Sequence, residues 1–285
     1  MDATLSEVLP GGLAMAGLAL ATLAGSAALM AQPWWQQRRR ERLRAQPFPA
    51  AWRRILRQRV PLAARLPADL QQRLKGHIQV FLAEKPLIGC GGLQVSDEMR
   101  VTVAAQACLL LLGRERPDYF PGLRQVLLYP GAFVVDRVQH QGGGVLQEQR
   151  QVLSGESWQQ GQVILSWADA RQGGAVADDG RNVVLHEFAH QLDQESGTAN
   201  GAPLLAGPRQ AARWAQVLGQ AFNRLREHAA SDQPSVLSDY GAISEAEFFA
   251  VATEVFFEQA AALAAEYPAL YEELAGYYRV DPLDW

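Results

Sequence analysis

The chain has 285 residues, of which 48% are hydrophobic and 20% charged, and its formal net charge is -4. This is an ordinary globular composition, and the negative charge excludes the broad basic surface that nucleic-acid binding needs. Two cysteines are too few for a disulfide framework and favour a reducing compartment. We therefore expect a folded protein with no nucleic-acid partner.

The N-terminal stretch differs from the rest because residues 11–31 contain no charged residue. A helix of this length can cross a hydrocarbon core of about 30 Å. Acidic residues precede the run and arginines crowd between Arg38 and Arg44 after it, an asymmetry that keeps the trailing side in the cytoplasm. The sequence predicts one transmembrane helix, a membrane anchor over residues 1–33, in the inner membrane. A cytoplasmic protein is the alternative.

Beyond the anchor, a basic, proline-containing segment is predicted to be a linker over 34–66, and the folded domain is predicted over 67–285. Helical periodicity starts at Ala68 and returns after Ser96, which is suited to cap the second helix. β-rich runs separated by glycine and proline then predict a small sheet between 123 and 167. Further helical patterns follow at 181–195, 208–229, 243–260 and 267–277. The expected class is α+β, mostly helical with a small β-sheet.

The motif that carries chemistry is "HEFAH", in which His186 and His190 are four residues apart. On a helix this spacing places both imidazoles on one face, where they can bind a single zinc ion. Glu187 follows the first histidine and is placed to act as the general base that takes a proton from a water at the metal. The surrounding residues are apolar, and unpaired buried histidines would be costly without a metal.

Such a site needs a third protein ligand while one position stays open for water. No further histidine follows at a suitable spacing, so the ligand must come from another element. Two downstream acids, Glu247 and Glu254, are seven residues apart and lie on one side of the same predicted helix. Spacing alone does not choose between them. Asp193, one turn after His190, is interpreted either as a residue that orients a ligand imidazole or as an ordinary acid at a helix end.

Several segments together resemble one known family. The stretches "NVVLHEFAHQLD", "YGAISEAEFFAVATEVFF" and "YPALYEELAGYYRVDP", with "GCGGLQVSDEMRVTVAAQACLLLL" and "VLLYPGAFVV" before them, are similar to the Mlc titration factor A family of bacterial zinc peptidases. The resemblance runs from about Lys75 to Pro282. The catalytic domain of anthrax lethal factor is similar over "YGAISEAEFFA".

The resemblance implies a zincin-like metallopeptidase domain that binds one zinc per chain. It makes Glu247 the third metal ligand and Tyr240 the electrophile beside the open position, although Tyr240 can also be interpreted as a turn residue. Glu254 then becomes an acid outside the ligand set.

The implied function is aminopeptidase-like hydrolysis of peptide substrates, with a role in regulating sugar-uptake genes. The alternative is a regulatory protein that binds a transcriptional repressor and uses zinc mainly to shape its surface. An intact Glu187 favours chemistry, because a purely structural zinc site has no use for a base.

Overall fold

The structure, a computed structural model, describes residues 8–141, 145–153, 155–158 and 161–285. The chain divides into two compact units, of which the first ends at Gln46 and the second is Pro47–Trp285.

The N-terminal unit contains one long helix, α1 (Val8–Arg44), which includes Pro33. Among the residues that the structure describes, no helix has a stretch both long and apolar enough to cross a membrane. The prediction of a transmembrane anchor over 1–33, and of membrane contact through it, is therefore wrong; residues 1–7 lie outside the described residues. The physical reason is composition: alanine and glycine dominate residues 11–31, and these small side chains contribute little to membrane insertion.

The second unit begins inside the segment that the sequence predicted to be a linker. Two helices lie there, α2 (Ala50–Arg59) and α3 (Leu62–Arg65). Leu56 of α2 is buried, as are Val60 and Leu66. The prolines that suggested a linker instead flank these short helices, where proline is tolerated at a first turn. We therefore place the start of the folded unit at Pro47.

The rest of the unit is mostly helical, as predicted. Its helices are α4 (Ala68–Glu84), α5 (Asp97–Leu109), α6 (Trp167–Ala175), α7 (Val183–Asp193), α8 (Pro208–Ala230), α9 (Glu245–Glu258), α10 (Ala260–Glu266) and α11 (Pro268–Tyr278). The predicted cap Ser96 accepts a hydrogen bond from the Met99 backbone N–H at 3.4 Å and starts α5. α6 and α10 were not predicted, because both are short and rich in small residues, alanine and glycine in α6 and alanine in α10.

The strands are β1 (Leu87–Gly89), β2 (Gln125–Tyr129), β3 (Phe133–Gln141), β4 (Val145–Leu153), β5 (Gly155–Trp158) and β6 (Gln162–Ser166). In the described residues they form a four-stranded sheet of order β1-β2-β6-β5 and a separate β3-β4 pair. β1, β2 and β6 are parallel, with Val126 opposite Val163, whereas β5 runs antiparallel to β6. The predicted small sheet is thus present.

Aromatic side chains fix α7 and α9 in the core. Phe188 on α7 lies with its ring centroid 4.8 Å from Phe120 and 5.7 Å from Phe81 of α4. Phe249 on α9 lies 5.7 Å from Trp214 of α8. α7 also packs directly against α9. Large buried rings are costly to shift, so these two helices present their polar faces to each other in a fixed arrangement.

Candidate metal centre

Helix α7 starts at a side-chain cap and carries both motif histidines. Asn182 accepts hydrogen bonds from the backbone N–H groups of Val184 and Leu185 at 3.1 and 3.0 Å, which satisfies two donors of the first turn. Because Phe188 packs in the core, His186 and His190 lie on the opposite face of α7, which faces α9. Their ring centroids are 4.8 Å apart.

Helix α9 contributes the third polar group. Ser244 caps it by accepting a hydrogen bond from the Glu247 backbone N–H at 3.2 Å, so Glu247 sits in the first turn. Its Oε2 atom lies 2.9 Å from His186 Nε2 and 3.4 Å from His190 Nε2. One ligand atom from each of these three residues lies within 4.8 Å of the others. The three residues could therefore hold a metal ion.

Glu254, the other acid considered from the sequence, lies on the opposite side of the His186 ring. Its Oε1 atom is 2.8 Å from His186 Nδ1, and its Oε2 atom accepts a hydrogen bond from the Asn182 backbone N–H. The side chain of Asn182 also donates to Glu258 Oε1 at 2.9 Å. Sequence reasoning missed Asn182 and Glu258, although an asparagine directly before the apolar run "VVL" is a recognisable helix-cap signal.

Burial and hydrogen bonding shift the pKa values of His186, Glu247 and Glu258 in different directions. Burial lowers the pKa of His186, but its hydrogen bonds with Glu247 and Glu254 outweigh burial and hold it well above the usual value. Burial raises the pKa of Glu247, yet the two histidines outweigh it and keep that pKa far below its usual range. Burial raises the pKa of Glu258 to about 8 despite the Asn182 hydrogen bond, with the nearby charges of Asp179 and Glu254 adding to the rise.

Glu187 and Tyr240 lie next to the three-residue cluster. Glu187 is only 5% exposed, and its negative charge contributes to the raised pKa of His186, which places its carboxylate near that ring. Tyr240 belongs to a 3₁₀ turn, Asp239–Ala242, that immediately precedes α9. Its ring centroid is 5.8 Å from that of His186, and the residue is 45% exposed. Tyr240 therefore lies between the histidines and solvent.

Asp193 does not hydrogen-bond to a ligand candidate. Its Oδ2 atom accepts from the Gly201 backbone N–H at 2.7 Å, and within the described part of the chain neither its Oδ1 nor His190 Nδ1 has a hydrogen-bond partner. Gly201 has a φ of +75°, and a Cβ there would lie 2.5 Å from the Glu245 carbonyl oxygen. Asp193 thus secures the tight loop that follows α7, at the point where this loop packs against Glu245 at the start of α9.

Comparison with known proteins shows which protein family the chain resembles. A family model described as glucose-regulated metallo-peptidase M90 matches residues 34–279. An uncharacterized protein of Synechocystis sp. is 39% identical over 252 residues, covering 88% of this chain and 91% of that protein.

Two relatives that carry the name Mlc titration factor A match at 35% identity. The Klebsiella pneumoniae protein aligns over 79% of this chain and 84% of its own length, and the Salmonella arizonae protein over 78% and 88%. The range that the family model matches, residues 34–279, contains all the clustered residues, and the predicted resemblance is confirmed. The chain therefore belongs to the Mlc titration factor A family of M90 metallo-peptidases.

Proposed function

We propose that the protein is a zinc-dependent peptidase whose zinc is held by His186, His190 and Glu247. The observation that carries this proposal is the convergence of these three side chains, from two packed helices, to within 4.8 Å. Two imidazoles and one carboxylate are a donor set that zinc accepts, and three protein ligands leave one position open.

The donor set fits zinc better than a hard cation, because calcium and magnesium prefer a shell of oxygen ligands. When bound there, zinc supplies Lewis acidity at the scissile carbonyl and lowers the pKa of water toward neutrality. The protein must then provide a base for the proton and a donor for the developing negative charge.

Glu187 is the base in this proposal. Because Glu187 directly follows His186 on α7, its carboxylate lies beside the metal ligands but is not itself a ligand. The carboxylate takes the proton of the attacking water and returns a proton to the leaving amine. Its low exposure, 5%, limits competition from bulk water for that proton.

Tyr240 is the donor for the oxyanion. Its exposed position beside the His186 ring, at 5.8 Å between centroids, supports contact with a bound peptide. A hydroxyl there can donate a hydrogen bond to the carbonyl oxygen as negative charge develops. The substrate class that the family suggests is short peptides cut from their amino end.

The test is turnover of a peptide library by the wild-type chain and by Glu187→Gln, read by mass spectrometry. We expect the wild type to remove residues from free amino termini, and the variant to lose this activity while keeping wild-type zinc content and melting temperature. Equal turnover by both proteins would assign the base to another residue. A wild-type chain loaded with zinc that cuts no peptide would contradict the peptidase proposal.

A second candidate function is capture of a transcriptional repressor. It is favoured by the relatives, whose name, Mlc titration factor A, describes a protein that titrates Mlc. Isothermal titration of this chain against a purified Mlc repressor, with and without zinc, separates the two functions. Binding that persists in Glu187→Gln supports a regulatory role independent of catalysis, and no heat of binding in any form excludes that repressor as a partner.

A further inference from the structure

Glu254 joins the start of α7 to the middle of α9 through both of its carboxylate oxygens. One oxygen lies 2.8 Å from His186 Nδ1, and the other accepts a hydrogen bond from the Asn182 backbone N–H. Glu254 itself is 8% exposed. A carboxylate with both oxygens engaged in a packed interior has little freedom to turn, so its position relative to the His186 ring is fixed.

The two nitrogens of His186 face different carboxylates. Nδ1 faces Glu254, whereas Nε2 lies 2.9 Å from Glu247 Oε2, on the side shared with His190. A metal-binding imidazole needs its coordinating nitrogen unprotonated, and a carboxylate at the other nitrogen keeps the proton there. The arrangement therefore selects Nε2 as the metal-facing atom of His186.

We propose that Glu254 is a positioning residue, which fixes the tautomer and the ring orientation of His186 and is not itself a metal ligand. This inference rests on the proposed zinc site and deepens it. It also resolves the ambiguity between two acids seven residues apart: Glu247 reaches the nitrogens of both histidines, while Glu254 reaches only the far side of one.

Asn182 links Glu254 to the first turn of α7. It caps α7 with its side-chain oxygen, gives its backbone N–H to Glu254, and donates from its side-chain nitrogen to Glu258 at 2.9 Å. The helix that carries His186 is therefore held at its first turn by the same carboxylate that orients the ring. Glu258 shares Asn182 with Glu254, is buried on the same helix and has no contact with His186, which makes it a matched control.

The experiment measures zinc affinity by competition with a chromophoric chelator in full-length wild type, Glu254→Gln, Glu254→Ala, Glu258→Gln and Glu247→Ala. The cobalt(II) absorption spectrum and the melting temperature of the metal-free proteins are recorded alongside. We expect both Glu254 variants to bind zinc about 10- to 100-fold more weakly, the usual effect of disturbing the acceptor behind a ligand histidine. Alanine removes both acceptor oxygens, and glutamine has only one, so it cannot accept from both His186 Nδ1 and the Asn182 N–H. Their cobalt spectra shift in wavelength or intensity, whereas Glu258→Gln keeps wild-type affinity and spectrum.

Glu254→Gln retains the shape of the side chain, so it reports on positioning even if Glu254→Ala fails to fold. Wild-type zinc affinity and cobalt spectrum in Glu254→Gln, whatever its melting temperature, overturn the positioning role and leave the zinc site intact. Complete loss of zinc in Glu254→Gln with full retention in Glu247→Ala overturns it in the other direction, because Glu254 is then a ligand. A wild-type chain that binds no zinc overturns the proposed function and, with it, this inference.

Discussion

Replacing Glu258 with glutamine should make the protein more stable at neutral and alkaline pH. Glu258 is 7% exposed, its Oε1 accepts from Asn182, and its Oε2 has no hydrogen-bond partner in the described part of the chain. Burial raises its pKa from 4.5 to about 8, and the charges of Asp179 and Glu254 reinforce the rise. The ionised form is therefore disfavoured in the folded state.

The direction of this pH dependence follows from which state, folded or unfolded, binds the proton of Glu258 more tightly. Because the folded-state pKa lies above the unfolded value, the folded protein binds the proton more tightly. The contribution of Glu258 to stability is fully present below pH 4.5 and is lost as pH rises to about 8. The difference between a pKa of 4.5 and one of about 8 corresponds to an upper bound on the order of 5 kcal/mol, at about 1.4 kcal/mol for each tenfold change in proton affinity. Glutamine keeps the acceptor for Asn182 and carries no charge, so the variant avoids this loss.

The assay is urea unfolding of chelator-treated wild type and Glu258→Gln at pH values from 5 to 9. We expect the difference in unfolding free energy to grow in favour of the variant across this range, reaching about 2 to 5 kcal/mol at the alkaline end. Asp69→Asn, an exposed acid near the start of α4, is the control and should give a flat difference. A pH-independent difference for Glu258→Gln would refute the reasoning, because Glu258 would then titrate normally in the folded state.

Three further substitutions, with Ser96→Ala as the control for one of them, test the site and its support. Tyr240→Phe should lower kcat by about tenfold to a thousandfold with unchanged zinc content, as expected for loss of one oxyanion donor, and an unchanged kcat would return Tyr240 to the interpretation of a turn residue. Asn182→Ala should cost about 2 to 4 kcal/mol in urea unfolding, because a helix cap and a buried donor are lost together. Ser96→Ala removes only an exposed helix cap and should lower the free energy of unfolding by about 0.5 to 1 kcal/mol. An equal loss in both variants would mean that Asn182 acts only as a helix cap and that its side-chain hydrogen bond to Glu258 adds nothing. Phe188→Ala should cost about 3 to 5 kcal/mol by opening a cavity beneath α7, and a cost under about 1 kcal/mol would mean that the ring does not anchor the helix.

Local patterns in the sequence predicted the elements that carry the site. The spacing of His186 and His190 within an apolar stretch required one helical face, and the structure has that helix at α7. The run that contains Glu247 and Glu254 was predicted as one helix, and it is α9. What spacing could not give was the side of the His186 ring that each acid faces, because that depends on how α7 packs against α9.

Composition explains where the structure departs from the sequence prediction. The uncharged run before Arg38 resembled a membrane span by the absence of charge, but its alanine and glycine lack the hydrophobicity that insertion requires. The segment 34–66 resembled a linker by its prolines and arginines, yet Leu56 and Val60 bury their side chains in the second unit. Those residues gain their burial from tertiary contacts that no local window contains.

The central claim is that His186, His190 and Glu247 hold one zinc ion while Glu254 stands behind His186. A crystal structure of the zinc-loaded full-length chain, with anomalous diffraction recorded at the zinc edge, tests it most directly. We expect one anomalous peak about 2.0 to 2.2 Å from His186 Nε2, His190 Nε2 and a Glu247 carboxylate oxygen, with Glu254 still bonded to His186 Nδ1. A peak coordinated by Glu254, or no peak between α7 and α9, would contradict the account.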